Sequence, residues 1–311
     1  MTPPRAATHS LVSLDRIDAE LLGRLEKAIP GDPDDLPLLT RLAARMEPAM
    51  RHAFLAAVRG AAGVIDLGGL TDALRSGQVT QVEAAAQLDK LGTDLKRQIL
   101  PVLGRTFALG AQVGEDALGA ALPIRFDLSN PAALAWVQAH GAELVVDVTD
   151  STRSAIRSLV EVAFREGRAP AQLARELREV VGLLPRQATA VQHFRERLIE
   201  EGVSAEAVER RAGRYAEAQL RYRAQNVART ETLDASNAGQ QELWQSARSQ
   251  GLIDPQSTRR VVIVTQDDRL DLEICEPLDG AEAGLDEPFP GGYMRPPFHP
   301  SCRCSVGLRF L

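Results

Sequence analysis

His299, Cys302 and Cys304 fall within one short run, Pro297-Phe298-His299-Pro300-Ser301-Cys302-Arg303-Cys304. The only other cysteine is Cys275, in Ile274-Cys275-Glu276-Pro277-Leu278-Asp279-Gly280, so the pattern is C-x23-H-x2-C-x-C. Three thiols and one imidazole are donors that a tetrahedral Zn²⁺ accepts. Two other readings stay open. A disulfide between Cys302 and Cys304 would close a very small ring, and pairing Cys275 with either leaves an odd thiol. No apolar core follows Met1-Thr2-Pro3-Pro4-Arg5 as in a secretory signal, so a reducing compartment with few disulfides is expected. Three inert buried thiols are the other alternative.

A second polar run is Asn226-Val227-Ala228-Arg229-Thr230-Glu231-Thr232, followed by Ala235-Ser236-Asn237-Ala238-Gly239. On a helix, Arg229, Leu233, Ser236 and Gln240 share one face, and Thr230, Asp234, Asn237 and Gln241 share the next. Such a cluster is a solvated face, a buried hydrogen-bonded network holding the C-terminal part, or an Arg/Glu pair that does chemistry. Asp267-Asp268-Arg269 is a third polar run. Its carboxylates could offer oxygen to a metal, although a thiolate-rich site disfavours them.

The elements that must position these residues are mostly helical. The chain has 311 residues, 44% hydrophobic and 4% aromatic, and a net charge of −6. It is long enough for two domains. The negative charge gives no overall attraction to DNA, and no apolar run reaches membrane-spanning length. Helices are expected at Asp15–Ala28, stopped by Pro30-Gly31-Asp32-Pro33, and from Leu36 to Val64 with Leu38, Leu39, Leu42, Met46 and Met50 at helical spacing. Pro48 either kinks or divides the latter. Gly60, Gly63, Gly68 and Gly69 loosen the pattern, which resumes over Gln81–Ala111 with an interruption near Pro101. Pro123–Leu128 reads as extended. Asn130 caps a helix opened by Pro131 that ends near Gly141.

Further helices carry Ile156, Leu159, Val160, Ala163 and Phe164 up to Gly167, then Leu173, Leu177, Val180 and Val181 up to Gly182. One more runs from Pro185 to Gly202. Ser204 then caps a long helix whose stripe includes Val208, Ala212, Tyr215 and Tyr222. From Arg259 the period changes to two: Arg259–Thr265 and the alternating Val306, Leu308 and Phe310 read as strands. The 23 residues between Cys275 and His299 include five Pro and four Gly. They are expected to bury little apolar surface and to need a metal as fastener. The fold class is therefore mainly α: a variable helical region over 1–120, then 121–311, with helices over 130–250 and a small α+β module over 251–311.

The order A-R-T-E-T-x3-S-N-x-G, then a β segment with D-D-R, C-E-P-L-D-G and finally P-x-H-P-S-C-R-C resembles the phage Mu F-like head morphogenesis family. The resemblance covers about residues 130–311. It implies a non-enzymatic minor head protein of a tailed phage or prophage, lying in the virion interior near the portal and in the host cytoplasm during assembly. The portal protein is the implied partner, with scaffold or major capsid protein as others, in head assembly or DNA delivery. The helical first half would face portal or scaffold. Many members carry C-x2-C before the P-L-D/N-G turn. Here the first position is Leu272, so a zinc site must recruit His299 beside Cys275, Cys302 and Cys304. Arg229, Thr230, Glu231, Asn237, Asp267, Asp268 and Arg269 would be structural or partner-binding residues. The competing reading is an enzyme related to toxin-type modules, transferring nucleotides or cutting nucleic acid with zinc. Against it, the sequence has no P-loop, nucleophile elbow or paired-histidine metal motif. A DNA-binding zinc knuckle is weaker still, since only Arg295, Arg303 and Arg309 are near.

Overall fold

The computed structural model describes residues 37–118, 124, 126, 130–267 and 270–311. The expected helix at Asp15–Ala28 and its breaker cluster lie outside these residues, as do Asp268, Arg269 and most of Pro123–Leu128.

The element order is α1 (Leu38–Gly63), α2 (Leu67–Ser76), α3 (Val79–Ala85), α4 (Leu88–Leu118), α5 (Pro131–Glu166), α6 (Pro170–Val180), α7 (Pro185–Glu200), α8 (Ala205–Ser249), β1 (Thr258–Ile263), β2 (Glu282–Ala283) and β3 (Ser305–Phe310). It is a mainly α protein with a small antiparallel sheet at its end, in the order β2-β1-β3. Val262 of β1 faces Val306 of β3. Among the described residues, no single helix is long and apolar enough to cross a membrane.

Local chemistry explains several boundaries. The Asn130 side chain accepts the Ala132 N–H at 2.9 Å, with Pro131 in the first turn. Gly167 (φ 67°) closes α5 in the left-handed conformation that glycine adopts without steric penalty. Asp66 accepts the N–H groups of Gly68 and Gly69 and so starts α2, a helix the glycine-rich sequence conceals.

Other expectations are corrected by packing. The interruption near Pro101 is absent: α4 runs unbroken through it. Pro101 faces solvent while Leu91, Leu95, Ile99, Leu103 and Phe107 stay buried on the other side. That continuous stripe offsets the roughly 3 kcal/mol that an interior proline costs. The break falls instead at Gln87, whose φ is 60°. Pro48 likewise sits within α1 without dividing it. The helix expected to end near Gly141 continues to Glu166, because Gly141 is the point where α5 comes close to Leu100 and Leu103 of α4. Phe164 and Tyr222, expected in buried stripes, are exposed.

The central feature is α8, 45 residues long, or about 68 Å at 1.5 Å per residue. It packs extensively on α4 and α1, which also pack on each other. Many of its inward positions are small: Ala212, Ala216, Ala224, Ala228, Ala235, Ser236 and Gly239 are buried there. One apolar cluster joins Met50 and Phe54 of α1 and Leu91–Leu103 of α4 to Val148–Ala163 of α5, Leu173–Val180 of α6 and Ala216–Ala235 of α8. The closest approach is backbone to backbone. A methyl at Gly239 would overlap the Phe107 carbonyl oxygen and lie 2.8 Å from its carbon; one at Gly110 would overlap the Ser236 carbonyl.

The C-terminal module has its own core, contrary to expectation for the Pro/Gly-rich loop. Leu278, Leu285, Phe289 and Phe298 from that loop are buried with Trp244, Val262, Val306 and all three cysteines. Arg260 is buried among them. Its guanidinium donates to the carbonyls of Gly284 (3.0 Å), Met294 (2.5 Å) and Glu287 and lies over the Phe289 ring. One fixed cation thus ties together turns that form no ladder.

Gly239→Ala should force α4 and α8 apart and destabilise the fold by about 1–3 kcal/mol or more, as overpacked cores do. The control is Gly202→Ala, at a φ of 73° with open space around it, which should show only the smaller backbone strain. Equal losses in chemical denaturation would contradict the close crossing.

Candidate metal centre

Cys275 sits at the end of a turn organised by Asp271. The Asp271 side chain accepts the N–H groups of Glu273 and Ile274 at 2.9 Å each, and its carbonyl accepts the Cys275 N–H. Pro277 then opens a short 3-10 turn. The other ligand candidates enter from the opposite end of the loop, immediately before β3. His299, Cys302 and Cys304 surround Ser301, which takes a left-handed φ of 63°.

The fold brings these two ends together. The donor atoms of Cys275, His299 and Cys302 all lie within 4.8 Å of one another, a group able to hold a metal ion. The Cys275 and Cys302 sulfurs are 3.9 Å apart. Cys304, the fourth expected ligand, is buried beside them and outside that three-atom group; its N–H donates to the Cys302 sulfur at 3.4 Å. The thiol of Cys304 also bonds Cys302. This, opposed by burial, pulls the Cys302 thiol below its ordinary pKa, while burial and the neighbouring Cys302 push Cys275 up. His299 Nδ1 lies 3.0 Å from the Pro300 carbonyl, which can only accept, so Nδ1 carries the proton. The other nitrogen, Nε2, is buried without a hydrogen-bond partner. An imidazole held by one N–H with a free lone pair on the other side is in the state a metal needs.

Around this group the second polar run is a buried and half-buried network. The solvated-face reading fails: Thr232, Ser236, Asn237 and Gln240 are all buried. Thr230 accepts the Ser301 N–H at 3.1 Å. Arg229 pairs with Glu47 of α1 at 3.5 Å. Asn237 donates to the Leu233 carbonyl at 3.0 Å. Asp234 pairs with Arg295 of the module at 3.0 Å, and Arg295 lies over the Trp136 ring. Asp267 pairs with Arg303 and so braces the ligand loop rather than joining the thiols. Glu231 meets a residue that the sequence did not single out. His140 of α5 reaches it with Nε2 at 2.6 Å and Asp234 at 3.5 Å, with its ring stacked on Trp136. Only Trp136 and His140 one turn apart hint at this in sequence.

Residues 154–307 match the family model described as Phage Mu protein F like protein. That segment belongs to the Phage Mu protein F like family. The match takes in α6, α7, α8, both ends of the loop from Cys275 to Cys304 and the first half of β3. The family is one of phage head morphogenesis. No curated protein and no solved structure matches the chain. Within the Phage Mu protein F like segment, the polar run on α8 is the platform on which the cysteine module rests.

His140 carries a pH signature. Burial disfavours its cation, but the bond to Glu231 and the charges of Glu231 and Asp234 outweigh burial and the opposing Arg295, raising its pKa above 6.5. A raised folded-state pKa means stability that is complete below pH 6.5 and lost as pH rises through the folded value. Denaturant stability of the wild type should therefore step down above that pH, and His140→Gln should lack the step. Parallel pH profiles for the two proteins would show that the His140 pair contributes nothing.

Proposed function

We propose that this chain is a minor head protein of a tailed phage or prophage that associates with the portal, inside the virion, and acts in head assembly or DNA delivery. The family match over residues 154–307 carries this reading. Scaffold and major capsid protein are further partners. The helices before residue 154 are the surface we assign to portal or scaffold, since they lie outside the matched segment. The role is structural rather than enzymatic.

We further propose that one Zn²⁺ staples the C-terminal module through Cys275, His299, Cys302 and Cys304. The donor chemistry fits. Two thiolates on one tetrahedral zinc, at Zn–S of about 2.3 Å, stand about 3.8 Å apart, and the Cys275 and Cys302 sulfurs are 3.9 Å apart. The unpartnered Nε2 of His299 supplies the imidazole lone pair. Zinc with four protein ligands is closed to substrate and contributes to folding instead. Because the module has its own core around Phe289 and Arg260, the metal fixes the ligand loop while the sheet stands largely by itself.

Two measurements test this. Protein purified without chelator should carry about one zinc per chain by elemental analysis. Cys302→Ser should lose it and admit protease cuts between Val264 and Cys304, with helical circular dichroism unchanged. Metal-free protein with three thiols titrating only after denaturation would remove the zinc. Separately, co-expression with the cognate portal protein should give a complex that survives size exclusion. Failure to co-purify, together with turnover of nucleotide or nucleic acid, would replace the structural role by an enzymatic one.

A further inference from the structure

Ser301 stands between two of the proposed ligands, His299 and Cys302, in a left-handed conformation that non-glycine residues hold only when their surroundings impose it. The surroundings are hydroxyl groups from elsewhere in the fold. Thr230 Oγ1 of α8 accepts the Ser301 N–H at 3.1 Å, and its own hydroxyl proton goes to the Asn226 carbonyl at 2.9 Å. The Ser301 hydroxyl in turn reaches Asn226 Oδ1 at 3.4 Å. Two residues further on, the Arg303 carbonyl accepts the Thr40 hydroxyl at 2.9 Å and the Thr265 hydroxyl at 2.7 Å. The loop is therefore gripped by its backbone at residues 301 and 303, while the donor side chains at 299, 302 and 304 bond their own loop and the facing cysteine.

We propose that Thr230 of α8 and Thr40 of α1 are positioning residues of the metal centre. Their hydrogen bonds go to backbone and not to a ligand side chain, and they act by fixing the backbone at Ser301 and Arg303, which sets how the imidazole and the two following thiols converge. This rests on the zinc reading above and deepens it in two ways. It gives Thr230, in the middle of the polar run on α8, a reason to occur together with the cysteine run some 70 residues later. It also makes the centre depend on Thr40, a residue of the first described helix that lies outside the matched segment. Metal affinity then reports whether α1, α8 and the C-terminal module are docked on one another.

The test uses the full chain. Zn²⁺ affinity is measured by competition with a chromophoric chelator, and the site is read by the absorption of bound Co²⁺. Thr230→Val and Thr40→Val keep the side-chain volume and delete the hydroxyl. Each should weaken Zn²⁺ binding 10–100-fold, the range for lost outer-shell partners of a metal site, and should alter the Co²⁺ spectrum. Thr230→Ser and Thr40→Ser should restore both. The helical melting curve of the metal-free protein serves as the control for general damage. Wild-type binding with Val variants within twofold of it overturns the positioning role and leaves the zinc site standing. Ser variants as weak as the Val variants overturn it too, since the hydroxyl would not be what matters. Wild type that binds no Zn²⁺ or Co²⁺ overturns the centre itself, and the positioning role with it.

Discussion

The contact between α4 and α8 at Gly110 and Gly239 constrains everything else. Two helices that meet backbone to backbone leave no room for even one methyl group. Around that point the chain places Ala235, Ser236 and Ala238, so the crossing is held by close van der Waals contact rather than by large interdigitating side chains. A close crossing fixes the relative position of both helices. It also brings α1, α5 and α8 around α4 so that their apolar stripes close into one cluster.

Because α8 is held so firmly on one side, it can serve as a platform on the other. Residues inward at the crossing (Ser236, Gly239) and residues facing the C-terminal module (Thr230, Asp234) come from the same three turns of helix. The first set fixes the helix; the second docks the module through Ser301 and Arg295. Glu231 and His140 add α5 to the same junction. A sheet of three short strands needs a packed apolar face to be stable. Here it borrows a rigid surface, an internal cation at Arg260 and a converged set of thiols.

Much was legible in the sequence wherever a local rule dominates. Asn130-Pro131, Gly167, Pro170, Gly182 and Pro185 mark helix ends through capping and backbone preference, which act within a few residues. The switch to period two at Arg259 marks a strand because alternation is a property of the strand itself. The candidate donor group of Cys275, His299 and Cys302 was legible because soft donors cluster in two short runs. The errors arose where tertiary contact outweighs local preference. Pro101 and Gly141 look like stops, and α2 looks like loop, until α4 and α5 are packed against each other and Asp66 caps the Gly68-Gly69 turn. Tyr222 and Phe164 have the right spacing for burial, but among the described residues no element covers them.

By itself, then, the sequence determined the helix ends that a local cap or breaker sets, the donor types of Cys275, His299, Cys302 and Cys304, and a family pattern read from four motifs in order. Only the tertiary structure decided that the polar run on α8 is an interior platform, that His140 pairs with Glu231, and that Thr40 and Thr230 grip the ligand loop. Caps, periods and donor types depend on neighbours in the chain. Which hydroxyl meets which amide across roughly 70 or more than 260 residues depends on how closely two helices approach, and a glycine shows that distance only once its partner backbone is in place.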